Sequence, residues 1–197
     1  ITVLRVPYDI KLLYHLAPTE FQLKEDEYLL LDRAREVMRQ HQPREEEFLE
    51  PDRMRVTFFN IGKDLLEELA EHEHIELSYE RIELLARILV RYTVGFGLLE
   101  VLMQDPKVQD ITVNSPVGAS PLFIVHQDYG ECATNIIPTK EDAEGWATKF
   151  RLLSGRPLDE ANPVLDTEIV VPGGRGRVAV MTHPLSPTGL AYAIRRH

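Results

Sequence analysis

At Asp105-Pro106 the spacing of apolar residues changes, and no other feature of the chain constrains its fold as strongly. Upstream the period is helical. Leu30, Ala34, Val37 and Met38 recur three and four apart behind Glu25, Asp26 and Glu27, with Arg33, Arg35 and Arg39 late in the segment, a charge order that complements a helix dipole. Asn60 is placed to cap a helix through KDLLEELAEHE. Ser78 is placed to cap another through YERIELLARILVRY, whose stripe of Ile82, Leu85, Leu89 and Tyr92 ends at Gly95. GLLEVLMQ makes a short helix that Asp105-Pro106 closes. Downstream the period is two: VQDITVN, PLFIVHQ and CATNI around the turn DYGE, then TEIVV, RVAVM and LAYAI between Pro172-Gly173-Gly174 and the stretch Pro184 to Gly189. Between these strand groups Thr139 and Asp142 form a capping box. The helix that follows lines up Ala143, Trp146, Ala147, Phe150 and Leu153 before Gly155 stops it.

Antiparallel strands with one helix across them, preceded by a small helical bundle, make an α+β fold. The opening TVLRVPYDIKLLYHL, interrupted by Pro7, suits two short strands in a ribbon too small to stand alone. Two domains are expected, with the ribbon and helices in 1–97 and the sheet in 98–197. QHQPREEEFLEPDR reads as an exposed connector with room for one helical turn.

Charge removes one class of function. Asp and Glu number 32 against 22 Lys and Arg, and the net charge of -10 repels a phosphate backbone, so general nucleic-acid binding is excluded. The single cysteine, Cys132, rules out an internal disulfide and a multi-thiolate metal site, and it reads as a small buried apolar residue. No apolar run approaches the roughly 18 residues that cross a bilayer, and no leader pattern opens the chain, so a cytoplasmic protein is expected. The first residue is Ile1 rather than methionine, which points to part of a longer protein.

Motifs for self-contained catalysis fail on context. GRGRVA carries Gly174, Gly176 and Ala179 at dinucleotide-fingerprint offsets, but a true fingerprint opens a helix whereas RVAVM is β-rich. IGKD looks like the end of a Walker A loop, yet Thr57 lies five before Gly62 where glycine belongs, and Asp64 stands where Ser or Thr meets magnesium. In EHEH, His72 and His74 are two apart, about 200° around a helix, and cannot share a metal. His15, His41, His126, His183 and His197 have no partner at ligand spacing or in a nucleophile motif. No catalytic or metal-binding residue is assigned.

That leaves four arginines, Arg175, Arg177, Arg195 and Arg196, all beyond the last acidic residue, Glu168. A guanidinium is always charged, and its planar fork fits phosphate bidentately. In a strand Arg175 and Arg177 share a face, whereas Arg195 and Arg196 point opposite ways, so at most one of the last pair joins Arg177. These arginines are either surface residues paired with neighbouring acids or a clasp for a phosphoryl group.

The segment YTVGFGLLEVLMQDPKVQDITVNSP resembles secretion-system traffic ATPases at their D-P-x-V-x-D/E-I signature. IVHQDYGECATNI, LLSGRPLDEANPVLDTEIVVPGGRGRVAV and SPTGLAYAIRRH extend the resemblance, in order, to the archaeal branch of the type II secretion, type IV pilus and archaellum motors. It covers about residues 92–197. The resemblance implies a PAS-like α+β domain ahead of a RecA-like motor domain, in a homohexamer lying against the inner face of the membrane beneath a platform protein. It implies ATP and magnesium only in the full-length protein, and none for this chain alone. Carried over by motif, phosphate contact falls on Arg177 in GRV and Arg195 in AIR, with Arg175 and Arg196 as weaker candidates. Glu168 stands where many relatives carry arginine. Walker A, Walker B and the family's acidic and histidine boxes are absent from these residues, so no ATP hydrolysis is expected of the chain by itself. Two other readings stay open. A PAS-like ligand sensor predicts a closed apolar pocket beneath Trp146 and Phe150, and an acidic adaptor would bind proteins through its helices.

Overall fold

The structure, a computed structural model, describes residues 1–40 and 50–197. Eight strands and five α-helices lie among the described residues, and the chain divides into two compact units, Pro18–Leu98 and the combination of Ile1–Ala17 with Leu99–His197. The sequence reading grouped the N-terminal ribbon with the helices. In the structure the ribbon belongs to the sheet. Strands β1 (Thr2–Leu4) and β2 (Leu12–His15) pair antiparallel, but a two-stranded ribbon is marginal alone, and β2 gains a second partner in β5 (Gly130–Thr134). That pairing is parallel in an otherwise antiparallel sheet. Side chains hold the join: the Tyr14 hydroxyl donates to Asp105 Oδ2 at 2.7 Å, while Asn135 accepts from Leu16 N–H at 2.7 Å and donates to its carbonyl at 2.8 Å.

The helical unit holds α1 (Glu25–Arg39), α2 (Pro51–His72) and α3 (Tyr79–Thr93). Ser78 caps α3 as expected, accepting from Arg81 N–H. Asn60 does not cap α2, because the helix has already run from Pro51, a residue suited to the first helical turn. Met54, Phe58, Gly62, Leu66 and Ala70 are its buried positions, one every four residues. The stripe is broken to the eye by Gly62, where an added Cβ would come within 3.0 Å of Leu89 on α3, so glycine lets the two helices approach. Of the expected connector, residues 41–49 lie outside the described residues, and Pro51 to Arg53 begin α2. Glu27, 1% exposed, fastens α1 to α3 by accepting from Arg81 Nε and Nη2, both at 2.5 Å, and from Lys24 N–H at 2.9 Å. Those Arg81 bonds outweigh burial and hold the Glu27 carboxyl below its ordinary range.

In the sheet unit, the short α4 (Leu98–Met103, shared with the unit boundary) precedes β3 (Val108–Val113) and β4 (Phe123–His126). After β5 come α5 (Lys140–Ser154), β6 (Val164–Val171), β7 (Gly174–Met181) and β8 (Ala191–Arg196), and the sheet order is β1-β2-β5-β4-β3-β8-β7-β6. Helix α5 opens on the Thr139–Asp142 capping box and closes at Gly155 with φ 64°. Its Trp146 meets Tyr192 of β8 edge-on, and the buried Tyr192 hydroxyl donates to Ala143 O at 2.5 Å. One face of the sheet is therefore core: Cys132, Ile124, Ile111, Ile194 and Val178 form a continuous cross-strand row, all at most 2% exposed. The side chains between them point the other way, to an open face.

Candidate functional site

The strand register decides what stands on that open face. Arg177 on β7 is the Cα partner of Arg195 on β8, so their side chains share the face directly opposite one another. The row continues with Glu168 on β6 beyond Arg177 and Asp110 on β3 beyond Arg195. Acid, base, base and acid thus lie across four adjacent strands. Arg195 donates from Nε to Asp110 Oδ1 at 2.8 Å, with its side chain 79% exposed, and the bond holds the guanidinium further into its charged form. Arg177 is exposed, and its side chain has no hydrogen bond or ion pair among the described residues. Arg175 is exposed on the same face, opposite Val170, but faces no arginine.

Arg196 goes elsewhere. The sequence reading kept it as a weaker phosphate candidate, but its Nη1 donates to Met103 O at 2.5 Å and to Asp105 O at 3.4 Å, and its Nη2 donates to Gly173 O at 2.7 Å. It satisfies a carbonyl left open at the end of α4 and ties the β6–β7 turn to the same point. The glycines of GGRGR are explained at once. A Cβ at Gly174 would meet Arg196 Nη1 at 2.7 Å, and one at Gly176 would meet the Arg195 carbonyl oxygen at 2.4 Å. GRGRVA is strand, as its β-rich content implied, and not the opening of a helix.

Asp110 was missed as a site residue, although the D-P-x-V-x-D spacing carried it. Asp105, the first acid of that signature, is a hub: Oδ2 accepts from Tyr14 and lies 3.5 Å from His126 Nε2, while Oδ1 accepts from Lys107 N–H at 2.9 Å. Burial pushes its carboxyl up, but the bonds from Tyr14 and Lys107 and the nearby His126 outweigh that and hold it below its ordinary value. Cys132 is fully buried and desolvation pushes its thiol up, so it is no nucleophile.

Where a ligand sensor would need a pocket beneath α5, Trp146 and Phe150 of the helix each pack against Tyr192 of β8, and all three are at most 5% exposed. A cavity of about 130 Å³ lies instead in the helical unit, lined by Glu20, Asp32 and Arg35 among others. Its mixture of signs selects neither anion nor cation. Among the described residues no three His, Cys, Asp or Glu side chains gather as a metal site, and no helix is long and apolar enough to cross a membrane.

Comparison with models of known protein families finds no match. The chain is 32% identical over 125 residues to uncharacterized protein MJ0900 of Methanocaldococcus jannaschii, covering 62% of this chain and 21% of that protein. It is 28% identical over 105 residues to uncharacterized protein MJ1288 of the same organism, covering 53% of this chain and 41% of that protein. Uncharacterized protein MJ0781, also from that organism, is 28% identical over 120 residues, covering 61% and 16%. The chain thus spans less than half of each of these curated relatives. Among solved structures it is similar to the VirB11 ATPase of the Brucella suis type IV secretion system in complex with sulphate, at 19% identity and a TM-score of 0.39 over 50% of this chain and 28% of that one.

Proposed function

We propose that this chain is the phosphate-responsive region of a secretion or pilus-assembly ATPase, in which Arg177 and Arg195 reach the terminal phosphates of ATP held by a motor domain. One observation carries the reading. Two arginines stand directly opposite on adjacent strands of an open sheet face, an arrangement that costs stability between like charges and is relieved by an anion between them. Two guanidinium forks on hydrogen-bonded strands fit a phosphoryl group in donor type and rigidity, and bound ATP would supply the charge that draws them together. While the terminal phosphate is present the two arginines tie sheet and motor; its loss releases the tie, and domain position follows nucleotide state.

The remaining assignments follow from that one. In a homohexamer such motions, repeated around the ring, would push on a membrane platform protein from the cytoplasmic side. Pro18–Leu98 carries 19 of the 32 acidic residues but 11 of the 22 Lys and Arg, which supports it as the partner-facing part. The test is ATP turnover by the motor-bearing protein with Arg177→Ala and with Arg195→Ala. Each should lower turnover by about 100-fold, the scale of losing one preorganised donor to a transferring group. Arg177→Ala should leave the melting temperature unchanged or slightly raised, because a like-charge contact is removed, and Arg195→Ala should change it little, because loss of the exposed Asp110 ion pair offsets that relief. Turnover near wild type in both variants refutes the proposal.

A further inference from the structure

Resting on the reading of Arg195 as a phosphate contact, we propose that Asp110 is its positioning residue: the Asp110 carboxylate holds Nε of Arg195 so that only the Nη1–Nη2 fork faces the anion. A guanidinium can offer phosphate either its side edge, which uses Nε, or its end fork. With Nε engaged by Asp110 at 2.8 Å, the side edge is taken. Without that bond, a 79% exposed arginine on a flexible stem would sample many rotamers.

The holder is itself rigid. Asp110 lies on β3, a strand paired on both sides, and its neighbours in the core, Val108 and Ile111, are 0% and 1% exposed. Asp105 pins the approach to that strand through Tyr14 and Lys107 N–H. The two acids of D-P-x-V-x-D thus divide the work, one anchoring the strand and the other aiming the arginine. Arg177 faces Glu168 across the strands without a recorded bond, so it is the free partner that adjusts to a ligand fixed by Arg195.

A carboxylate beside an anion site also repels the anion, and the two effects predict opposite outcomes. The test titrates the motor-bearing protein with inorganic tripolyphosphate while the arginine Nε–H signals are followed by NMR, in wild type, Asp110→Ala, Asp110→Asn, Asp110→Glu and Arg195→Ala. Positioning predicts that Asp110→Ala weakens binding by about two- to fivefold, the range for an exposed ion pair, and loses the protected Arg195 Nε–H signal. Asp110→Asn keeps an acceptor for Nε and restores both. Asp110→Glu keeps the charge but moves the acceptor by one methylene, and it should weaken binding too, which holds the test open if Asp110→Ala unfolds. Binding tightened alike by Asp110→Ala and Asp110→Asn overturns the positioning role and leaves only repulsion. Weakening in Arg195→Ala with none in Asp110→Ala or Asp110→Glu overturns it as well. Wild-type binding by Arg195→Ala, or no perturbation of either arginine in wild type, overturns the phosphate reading itself.

Discussion

Replacing Arg196 by methionine should destabilise the sheet unit by about 2–3 kcal/mol, and Gly174 supplies the check on why. The substitution removes charge-assisted bonds to Met103 O and Gly173 O, each in the range of about 1.5–3 kcal/mol when buried. Arg196 is only partly buried, so freed carbonyls regain water and the loss falls at or just below the lower end of the sum. Gly174 has no positive φ, and an alanine there meets only the far end of the Arg196 side chain, at 2.7 Å from Nη1 and 2.9 Å from Cζ. Gly174→Ala should therefore cost what displacing that guanidinium costs, about 2 kcal/mol, and almost nothing once Arg196 is methionine. The coupling in the double-mutant cycle is then about 2 kcal/mol, well above the 0.3–0.5 kcal/mol scatter of independent sites. Urea unfolding followed by Trp146 reads it cleanly, because Trp146 is the only tryptophan and lies 5% exposed on α5. Additive single effects, within 0.5 kcal/mol, would refute the reasoning.

Two further outcomes follow from carboxylates, one buried and one partly buried. Arg81→Met strips the fork from Glu27, 1% exposed, and should cost the helical unit about 2–4 kcal/mol by far-UV circular dichroism; a loss below 1 kcal/mol would show that Lys24 N–H alone suffices. Asp105 sits below the ordinary carboxylate value of about 3.9, so its contribution is full above that pH and fades as pH falls through the folded value. The stability gap between wild type and Asp105→Asn, read by Trp146, should be full above about pH 4 and close as the pH falls further, and a gap that widens on acidification would reverse the sign.

What was legible in the sequence was local. Thr139 with Asp142, Ser78, and Gly155 each act within one turn of their own position, and each does in the structure what its spacing implies. Strand alternation likewise needs only neighbours, so every strand from β3 to β8 lies where the period changes to two. The misses are long-range. Nothing near Leu12–His15 tells it to run parallel to a strand more than 100 residues on; that follows from Tyr14 reaching Asp105 and Asn135 bracketing Leu16. Asn60 had the chemistry of a cap, but a cap acts only where the helix begins, and Gly62 disguised a stripe that passes straight through. Alternation said that only one of Arg195 and Arg196 joins Arg177. Which strand opposes them, and so that Asp110 holds the first while α4 holds the second, is a matter of sheet order.

The candidate anion site is, in the end, a property of register, which two glycines permit and Arg196 anchors. Sliding β8 by one residue against β7 would turn Arg195 into the core and bring Arg196 onto the open face, exchanging every side chain on the strand. Sliding by two would keep the faces but set Arg177 against Ala193 or His197, with no second guanidinium opposite it. Gly176 permits the native pairing, because the Arg195 carbonyl would lie 2.4 Å from a Cβ at that position and only a residue without one admits this approach. Arg196 resists both shifts, because its guanidinium, in the room that Gly174 leaves, is anchored to carbonyls at 2.5 and 2.7 Å. The glycines that imitate a dinucleotide fingerprint are therefore spacers between strands. They admit the one alignment that puts Arg177 and Arg195 face to face.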